Sequence, residues 1–339
     1  MGENSNGKPV RLVVVIPAYN EAKTVGDVIR RVPREIDGVK EVVVVVVDDG
    51  STDGTAQVAR EAGAAFIVRH HTNLGVGQAF RDGVTKALEL GADIIVNLDA
   101  DGQHDPSEIP MLVAPILAEG CDVVVGSRFI SGSEVSMPLM KKLGNLFFTK
   151  LMTATTGVHF TDTQSGFRAF SKEAALRLNT FGRFTYTQET LIDLAMNGLR
   201  ITEVPITVKP RYGKSKVVKN CYSYGFKALA IMLRSLRDYR PLAFFGSLGA
   251  IVLAAGFSSG IFVFIHWIIT GRTSGYASLI NFTVLSILAG LFLIVLALMA
   301  DMQGRQRRIQ EETLYYIKRL HYNEMLKKHQ EDMRRALEE

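Results

Sequence analysis

The sequence contains very little cysteine. Only Cys121 and Cys221 occur in 339 residues, and they form no C-x-x-C pair. This excludes a domain held together by disulfides and a zinc site built from paired cysteines. We therefore expect the protein to work in a reducing compartment.

A targeting signal at the amino terminus is also missing. The segment MGENSNGKPV is short and polar, without the apolar core of a signal peptide, and Asn6 stands where N-myristoylation requires Ser or Thr. We expect residues 1–10 to be disordered and the domain after them not to be exported. A net charge of +5 is too small to indicate a nucleic-acid partner.

Two glycine-rich phosphate-binding motifs are absent as well. The first predicted strand is followed by PAYNEA rather than by G-x-G-x-x-G, and no Walker A sequence occurs. This excludes a dehydrogenase-type dinucleotide site and a P-loop. Any phosphate bound here has to be held by a metal ion and by side chains.

A regular alternation of strand and helix patterns is present up to about residue 126. Short apolar, β-branched runs alternate with amphipathic segments, which predicts an α/β fold with a doubly wound, mostly parallel sheet. The predicted strands are residues 12–16, 41–47, 65–69, 94–98 and 122–125, with a later one at 201–208.

Polar clusters follow three of these strands, at Tyr19-Asn20-Glu21, Asp48-Asp49 and Asp99-Ala-Asp101. The carboxyl ends of parallel strands meet at one edge of a sheet, where open α/β proteins bind their ligands. Asp99 and Asp101, in a turn that continues to Gln103, suit a hard divalent cation that holds a diphosphate. Each cluster taken alone is explained as well by a turn or a helix cap.

A basic loop follows the last predicted strand. The segment KPRYGKSK, residues 209–216, contains Gly213 and Ser215, which suit wrapping around an anion. Most basic loops are simply solvated, and that interpretation stays open at this point.

Two long runs near the carboxyl terminus carry no formal charge. Residues 242–269 and 277–300 each exceed the roughly 20 apolar residues that span a bilayer. Arginines lie outside the pair, whereas the short connection contains only Arg272, so the positive-inside rule predicts a hairpin over 241–302 with the sheet domain and both termini in the cytoplasm. The flanking arginines are Arg234, Arg237, Arg240, Arg305, Arg307 and Arg308.

The segments on either side of the hairpin are predicted to be helical. Residues 220–240 have the pattern of an amphipathic helix in the membrane interface. Residues 303–339 form a charged cytoplasmic helix with a narrow apolar stripe, which would serve self-association or a membrane surface; a solvated helix is the alternative. The stripe consists of Ile309, Tyr316, Ile317, Leu320 and Met325.

The motifs between residues 10 and 220 resemble those of the inverting family 2 glycosyltransferases of GT-A fold, in particular the dolichyl-phosphate mannose and glucose synthases. The matching segments are IPAYNE (16–21), VVDDGSTDGT (46–55), NLGVGQA (73–79), LDADGQHDP (98–106), GSRF (126–129), DTQSGFRAF (162–170) and PRYGKSKV (210–217). The resemblance implies a GT-A domain over 11–219. Processive synthases of the same family carry Q-x-x-R-W after the sheet, which this chain lacks.

The resemblance implies transfer of a hexose from a UDP- or GDP-sugar to dolichyl or polyprenyl phosphate, with Mg²⁺ or Mn²⁺ as cofactor. A homo-oligomer through the hairpin or the last helix is a further expectation. The implied nucleotide-sugar site is Pro17, Tyr19, Glu21, Asp48, Asp49, Asp99, Arg211 and Lys216. The implied metal site is Asp99, Asp101 and Gln103.

The acceptor phosphate is expected at Arg128, Lys141, Lys142 and Ser215, and the catalytic candidates are Asp101, Arg128, Asp162 and Glu189. Arg168 is expected either to join this set or to pair with Asp162 or Glu189. Two rival functions stay open. One is transfer to a hydroxyl of a lipid-linked oligosaccharide or diacylglycerol, for which Asp162 or Glu189 would act as base. The other is a catalytically inactive membrane scaffold.

Overall fold

The computed structural model describes residues 10–130, 149–150, 152–153, 156–179, 186–209, 237 and 241–338. Within these ranges the chain separates into two compact units. One contains the described residues up to 209 together with the end of the last helix from Leu314, and the other covers the long apolar helices up to Thr313.

Strands and helices alternate over the first 127 residues, as the sequence predicts. The valine-rich runs become strands because β-branched side chains fit a pleated, buried surface. The elements are β1 Arg11–Ala18, α1 Val25–Arg30, β2 Glu41–Asp48, α2 Thr55–Glu61, β3 Phe66–Arg69, α3 Val76–Glu89, β4 Ile94–Asn97, a 3-10 turn at Pro106–Glu108, α4 Ile109–Glu119 and β5 Val123–Ser127.

The described remainder of this unit contributes two strands and two helices. They are β6 Arg168–Ser171, α5 Lys172–Arg177, α6 Tyr186–Met196 and β7 Ile201–Pro205. The last strand is shorter than the predicted 201–208, and Val208 forms only an isolated bridge with His104. The strand ends where its partner does: Pro205 pairs with Ser127, the last residue of β5, and Ile206 N–H still donates to Ser127 O over 3.0 Å.

The seven strands form one sheet in the order β3-β2-β1-β4-β6-β5-β7. Every pairing is parallel except those of β6, which runs against β4 and β5. The predicted mostly parallel α/β sheet is therefore confirmed. The loop before β6 lies at the carboxyl end of β5, where Gly126 N–H donates to Phe167 O over 2.9 Å. Since β6 starts at the end where β5 finishes, it runs antiparallel to β5.

Close helix packing covers the centre of the sheet. Gly83 of α3 lies directly on β1, where a Cβ at that position would be 2.2 Å from Val15 Cγ1 and 3.1 Å from Val47 Cγ2. On the opposite face, α1 and α4 bury Leu12, Val14 and Ile16. The central strands are thus buried on both sides, as parallel sheets require.

The second unit is built on two long helices, α7 Pro241–Thr270 and α8 Ala277–Glu338. Both are long and apolar enough to cross a membrane, and only 17% of the most apolar window of each is buried, unlike a core helix of a soluble protein. Small residues bring the helices together, since a Cβ at Gly249 would be 3.1 Å from Gly290 O. The predicted spans 242–269 and 277–300 lie inside these helices.

The charged tail is not a separate helix but the continuation of α8. Its end from Leu314 packs on the sheet unit through a face that the sequence did not predict. Tyr315 Oη donates to Glu173 Oε2 over 2.9 Å, and Lys318 Nζ donates to Leu178 O over 2.8 Å. Tyr322 is 4% exposed.

The predicted apolar stripe lies mainly on the opposite side of this helix. Tyr316, Ile317 and Leu320 are each more than half exposed. The stripe is therefore not the contact that holds the tail, and its role in self-association or membrane binding stays a prediction. An apolar cavity of about 280 Å³ lies between α3, α5 and this end of α8.

Candidate active site

Three polar strand ends meet at the carboxyl edge of the sheet. β1 pairs with β2 on one side and with β4 on the other, all parallel. Tyr19, Asp48 and Asp99 follow or end these neighbouring strands, so the predicted juxtaposition is confirmed by the strand order.

Hydrogen bonds lock the loops after β1 and β2 to each other. Asn20 N–H donates to Ser51 Oγ, and Thr52 N–H donates to Asn20 Oδ1, each over 2.9 Å. Glu21 N–H donates to Thr55 Oγ1, also over 2.9 Å. Asn20 has a φ of 53°, a left-handed conformation that asparagine tolerates better than most residues. The two loops thus present Tyr19, which is 37% exposed, beside Asp48.

Asp48 is fully buried at the end of β2. Its Oδ1 accepts the N–H of Ser51 over 2.9 Å. Its Oδ2 lies 3.5 Å from Arg69 Nε and accepts no hydrogen bond within the described part of the chain. A buried carboxylate oxygen without a hydrogen-bond donor is costly, and a ligand N–H or O–H would satisfy it.

Asp49 holds the neighbouring loop of the protein. Its carboxylate accepts the backbone N–H groups of Leu74 and Gly75 over 2.8 and 2.9 Å. It also lies 2.7 Å from His70 Nδ1. Both oxygens are therefore used internally, and the structure gives Asp49 a role in shaping the start of α3. A direct contact from Asp49 to a nucleotide stays a prediction.

The turn after β4 brings oxygen ligands together. Gln103 N–H donates to Asp101 Oδ1 over 3.0 Å, and Gly102 supplies the φ of 73° that the turn needs. Gly166 passes so close that a Cβ there would be 2.8 Å from Asp99 Oδ2. Two carboxylates and an amide are hard oxygen ligands of the kind that Mg²⁺ and Mn²⁺ take.

No closed cage of three or more His, Cys, Asp or Glu side chains occurs in the described residues. The donor set of the turn fits an open metal site, because a cation held by a few protein oxygens keeps positions for phosphate oxygens and water.

His104 lies beside this turn but carries no charge at neutral pH. It is 7% exposed, its Nε2 is 4.0 Å from Asp99 Oδ2, and its ring packs on Phe167. Burial lowers the pKa of His104 to about 4, against an opposing effect of Asp101. The charge of the acidic turn is thus not compensated by this histidine.

Arg128 is held by Asp162 in a two-pronged ion pair. Arg128 Nε and Nη2 donate to the two carboxylate oxygens over 2.6 and 2.9 Å. The backbone N–H of Arg128 donates to the same carboxylate over 3.2 Å. Asp162 is fully buried, whereas the Arg128 side chain is 18% exposed. Such planar pairs restrict the direction of a guanidinium strongly.

Arg168 is fully buried and does not pair with Asp162 or Glu189 in the way that one alternative predicted. Its guanidinium donates to the carbonyls of Thr187 and Thr163, over 2.6 and 3.1 Å. Burial lowers the pKa of Arg168 to about 10, which leaves it charged at neutral pH. Glu189 lies half-buried on α6, between Thr187 and Thr190, and takes no part in these hydrogen bonds.

Several predicted site residues lie outside the described ranges. These are Lys141 and Lys142 of the acceptor set and Arg211, Ser215 and Lys216 of the basic loop; the same holds for all of the predicted interfacial helix 220–240 except Arg237. The residue that leads into the loop, Lys209, is described, and its N–H donates to Gln103 O over 2.8 Å. The basic loop therefore starts beside the acidic turn.

Comparison with known proteins identifies the family. Residues 13–178 match the model for glycosyl transferase family 2. Glycosyltransferase AglJ of Haloferax volcanii is 30% identical over 309 residues, which cover 89% of this chain and 98% of that protein. The chain belongs to glycosyl transferase family 2.

Another relative of this transferase carries its substrates in its name. The UDP-N-acetylglucosamine–dolichyl-phosphate N-acetylglucosaminyltransferase of Methanococcus voltae is 37% identical over 227 residues, covering 60% of this chain and 88% of that protein.

A solved structure shows the same fold. Glucosyl-3-phosphoglycerate synthase from Mycobacterium tuberculosis, in complex with Mn²⁺, UDP-glucose and phosphoglyceric acid, superposes with a TM-score of 0.52 at 25% identity. The match covers 67% of the present chain and 79% of the chain of the synthase. The sheet is thus of the GT-A type that the motifs predict.

Sequence reasoning missed residues of this transferase that act through other residues. His70 anchors Asp49, Asn97 donates to Gly166 O over 2.7 Å below the acidic turn, and Glu203 binds the loop that carries Asp162. Glu203 had a usable signal, since it is an acid near the carboxyl end of an otherwise uncharged strand. His70 had none, because its partners are distant in sequence.

Proposed function

We propose that this transferase moves a hexose from a nucleotide sugar to a dolichyl or polyprenyl phosphate, with inversion at the anomeric carbon. The observation that carries the proposal is the single sheet edge that joins Asp48, the Asp99–Asp101 turn and the oriented Arg128, in a chain that also has two helices suited to a membrane. The relative from Methanococcus voltae, named for a dolichyl-phosphate acceptor, supports the lipid phosphate.

The donor nucleotide would bind at the ends of β1 and β2. Tyr19 offers an exposed ring, and Glu21 lies on the same loop. Pro17 is buried in β1, two residues before Tyr19. Asp48 Oδ2 would accept a hydrogen bond from a base or ribose group, which satisfies its buried oxygen. These proposed contacts would suit uracil and guanine alike. Both UDP- and GDP-sugars therefore belong in the same test.

The donor diphosphate would lie over the turn after β4. Asp99, Asp101 and Gln103 would hold Mg²⁺ or Mn²⁺ there, and the bound ion would neutralise charge on the departing diphosphate. Arg211 and Lys216, on the loop that starts beside Gln103, would add further positive charge.

The acceptor phosphate would bind at Arg128, with Lys141, Lys142 and Ser215 as further donors. A phosphate monoester with a second pKa of roughly 6 is already ionised near neutral pH, so attack on the anomeric carbon needs no strong base. This agrees with the geometry of Asp162, whose two oxygens both accept hydrogen bonds from Arg128. We therefore assign Asp162 to orienting Arg128, and Glu189 to a secondary role in acceptor placement.

The membrane arrangement follows from the charge pattern. Helices α7 and α8 would form a hairpin that enters from the cytoplasm, with the sheet unit and both termini on that side. The lipid phosphate would then be supplied from the leaflet that faces the sheet unit, and the nucleotide sugar from the cytoplasm.

The direct test uses the purified full-length chain in lipid vesicles. Radiolabelled UDP-glucose, UDP-N-acetylglucosamine and GDP-mannose are supplied separately, with Mn²⁺ or Mg²⁺ and a polyprenyl phosphate. We expect one sugar to appear in an organic-extractable, mild-acid-labile lipid. The matched acceptor control is the corresponding polyprenol, which lacks the phosphate.

The same assay separates the rival functions. Transfer to polyprenol, or to diacylglycerol, but not to polyprenyl phosphate would show a hydroxyl acceptor. No transfer and no nucleotide-sugar binding would show an inactive scaffold. Either outcome would overturn the proposal.

A further inference from the structure

Glu203 lies in β7 at a position that the proposed chemistry does not use. β7 pairs in parallel with β5, and Glu203 lies opposite Val125, two residues before Ser127 at the end of β5. The residue is half-buried, and its strand neighbours carry no charge. A charged side chain at such a position needs hydrogen-bond partners to offset the loss of water.

The hydrogen-bond partners of Glu203 in the described part of the chain all belong to one short loop. Its Oε1 accepts the N–H groups of Thr161 and Asp162, each over 3.0 Å. Its Oε2 accepts the N–H of Thr161 over 2.8 Å and the Thr161 hydroxyl over 2.7 Å. Hydrogen bonds from several donors to one carboxylate are stronger than neutral ones and fix the loop backbone.

Two connections lead from this loop to Arg128. Asp162, whose N–H is bound by Glu203, holds the Arg128 guanidinium through both carboxylate oxygens. Thr161, whose hydroxyl donates to Glu203, also lies 2.6 Å from the hydroxyl of Ser127, the residue before Arg128. Glu203 is thus connected through one loop both to the Asp162 carboxylate and to the end of β5.

We propose that Glu203 is a positioning residue for the acceptor: through Thr161 and Asp162 it sets the direction in which Arg128 meets the acceptor phosphate. The inference rests on the proposed function, because it assigns a purpose to Arg128 within that reaction. It adds that acceptor affinity depends on a residue of β7 that touches neither substrate.

The decisive substitution is Glu203→Gln. It keeps the length of the side chain but replaces one acceptor oxygen with an NH₂ group, which would face backbone N–H donors. We expect the KM for polyprenyl phosphate to rise by about tenfold or more, because a bond to a charged group is lost and a donor is left unpaired. The kcat and the Kd for nucleotide sugar should change by less than about twofold, since the donor site lies at β1 and β2.

Asp122→Asn is the matched control. Asp122 accepts the N–H of Arg200 over 2.9 Å next to the same two strands, but at the opposite edge of the sheet. Loss of its charge should leave the KM for the acceptor unchanged. An equal rise of KM in both variants would overturn the inference, because it would reflect general loosening of β5 and β7.

A double substitution tests the route through Arg128. In a chain that already carries Arg128→Ala, adding Glu203→Gln should raise the acceptor KM by less than about twofold, because the two changes act on one contact. Independent, multiplicative effects would contradict the proposal. A lower melting temperature of Glu203→Gln with an unchanged acceptor KM would also contradict it, since it would show a structural role only.

If Glu203→Gln does not fold, Thr161→Val replaces it. This change removes only the hydroxyl that joins Glu203 to Ser127, and it should raise the acceptor KM severalfold; an unchanged KM would overturn the inference. A wild-type chain that transfers nothing to polyprenyl phosphate would overturn the proposed function itself. Normal wild-type transfer with an unaffected Glu203→Gln variant would overturn this inference alone.

Discussion

His70 Nδ1 lies 2.7 Å from Oδ1 of Asp49, although the two residues are 21 positions apart in the sequence. The other ring nitrogen of His70 is 3.0 Å from Asp82 Oδ2 on α3. Because Asp49 also binds the N–H groups of Leu74 and Gly75, the imidazole ties the end of β2, the loop before α3 and the helix itself together.

Replacing His70 with alanine should therefore weaken donor binding. The Asp49 carboxylate loses its contact on the α3 side, and the two loops that frame the nucleotide site become less ordered. We expect the Kd for nucleotide sugar to rise by about three- to tenfold, a loss comparable to one hydrogen bond. Isothermal titration calorimetry measures it. His71→Ala, at an exposed neighbouring position, is the control, and equal Kd values for both variants would refute the anchoring role.

Asp101→Asn should abolish transfer while leaving the fold intact. The substitution keeps the size of the side chain but removes one charged ligand from the turn after β4. Binding of Mn²⁺ in the presence of nucleoside diphosphate, followed by electron paramagnetic resonance, should be lost together with activity. Asp122→Asn should retain both. Full activity of Asp101→Asn in excess chelator would show that the turn holds no metal.

The end of α8 should stabilise the sheet unit through Tyr315 and Tyr322. Tyr322 is 4% exposed, and Tyr315 donates to Glu173 on α5. Tyr322→Ala should lower the free energy of unfolding by roughly 3 kcal/mol, as is usual when a buried aromatic ring is removed. Tyr316→Ala is the control, because it removes an exposed ring from the residue next to Tyr315. The melting temperatures of the two variants are compared in detergent. Equal melting temperatures would mean that the tail contact contributes nothing.

Gly83→Ala should destabilise the protein although alanine favours helices. A Cβ at this position would be 2.2 Å from Val15 Cγ1, so α3 has to move away from β1. Overpacking of this kind costs about 1–3 kcal/mol, more than the roughly 1 kcal/mol that alanine contributes over glycine in a helix. Thr85→Ala, at an exposed position of α3, serves as control in the same melting experiment. A more stable Gly83→Ala chain would show that the close approach is relaxed in solution.

The topology of the hairpin can be tested with single cysteines in a chain that lacks Cys121 and Cys221. Ser274→Cys lies in the connection between α7 and α8, and Glu339→Cys lies at the end of the chain. A membrane-impermeant thiol reagent on intact cells should label position 274 and spare position 339, because the arginines favour a cytoplasmic location of the outer flanks. Labelling of position 339 alone would invert the proposed orientation.

Much of the catalytic edge could be predicted from the sequence. The valine run at 42–47 and the apolar segment before Asp99 are local patterns, and strand direction in a parallel sheet obliges their carboxyl ends to meet. The two candidate membrane helices follow from length and composition alone, because crossing a bilayer requires about 20 apolar residues whatever the rest of the fold does.

Contacts between distant residues were decided by the tertiary structure. The sequence suggested one apolar face for the tail, whereas the helix uses Tyr315, Lys318 and Tyr322, since the surface of α5 selects the face that fits it. It offered Arg168 either as a member of the acceptor set or as a partner of Asp162 or Glu189. In the structure β6 runs antiparallel and buries Arg168 against backbone carbonyls, and Asp162 pairs with Arg128 instead. Local periodicity shows which residues can be buried or polar; only the packing of the whole chain determines which of them meet.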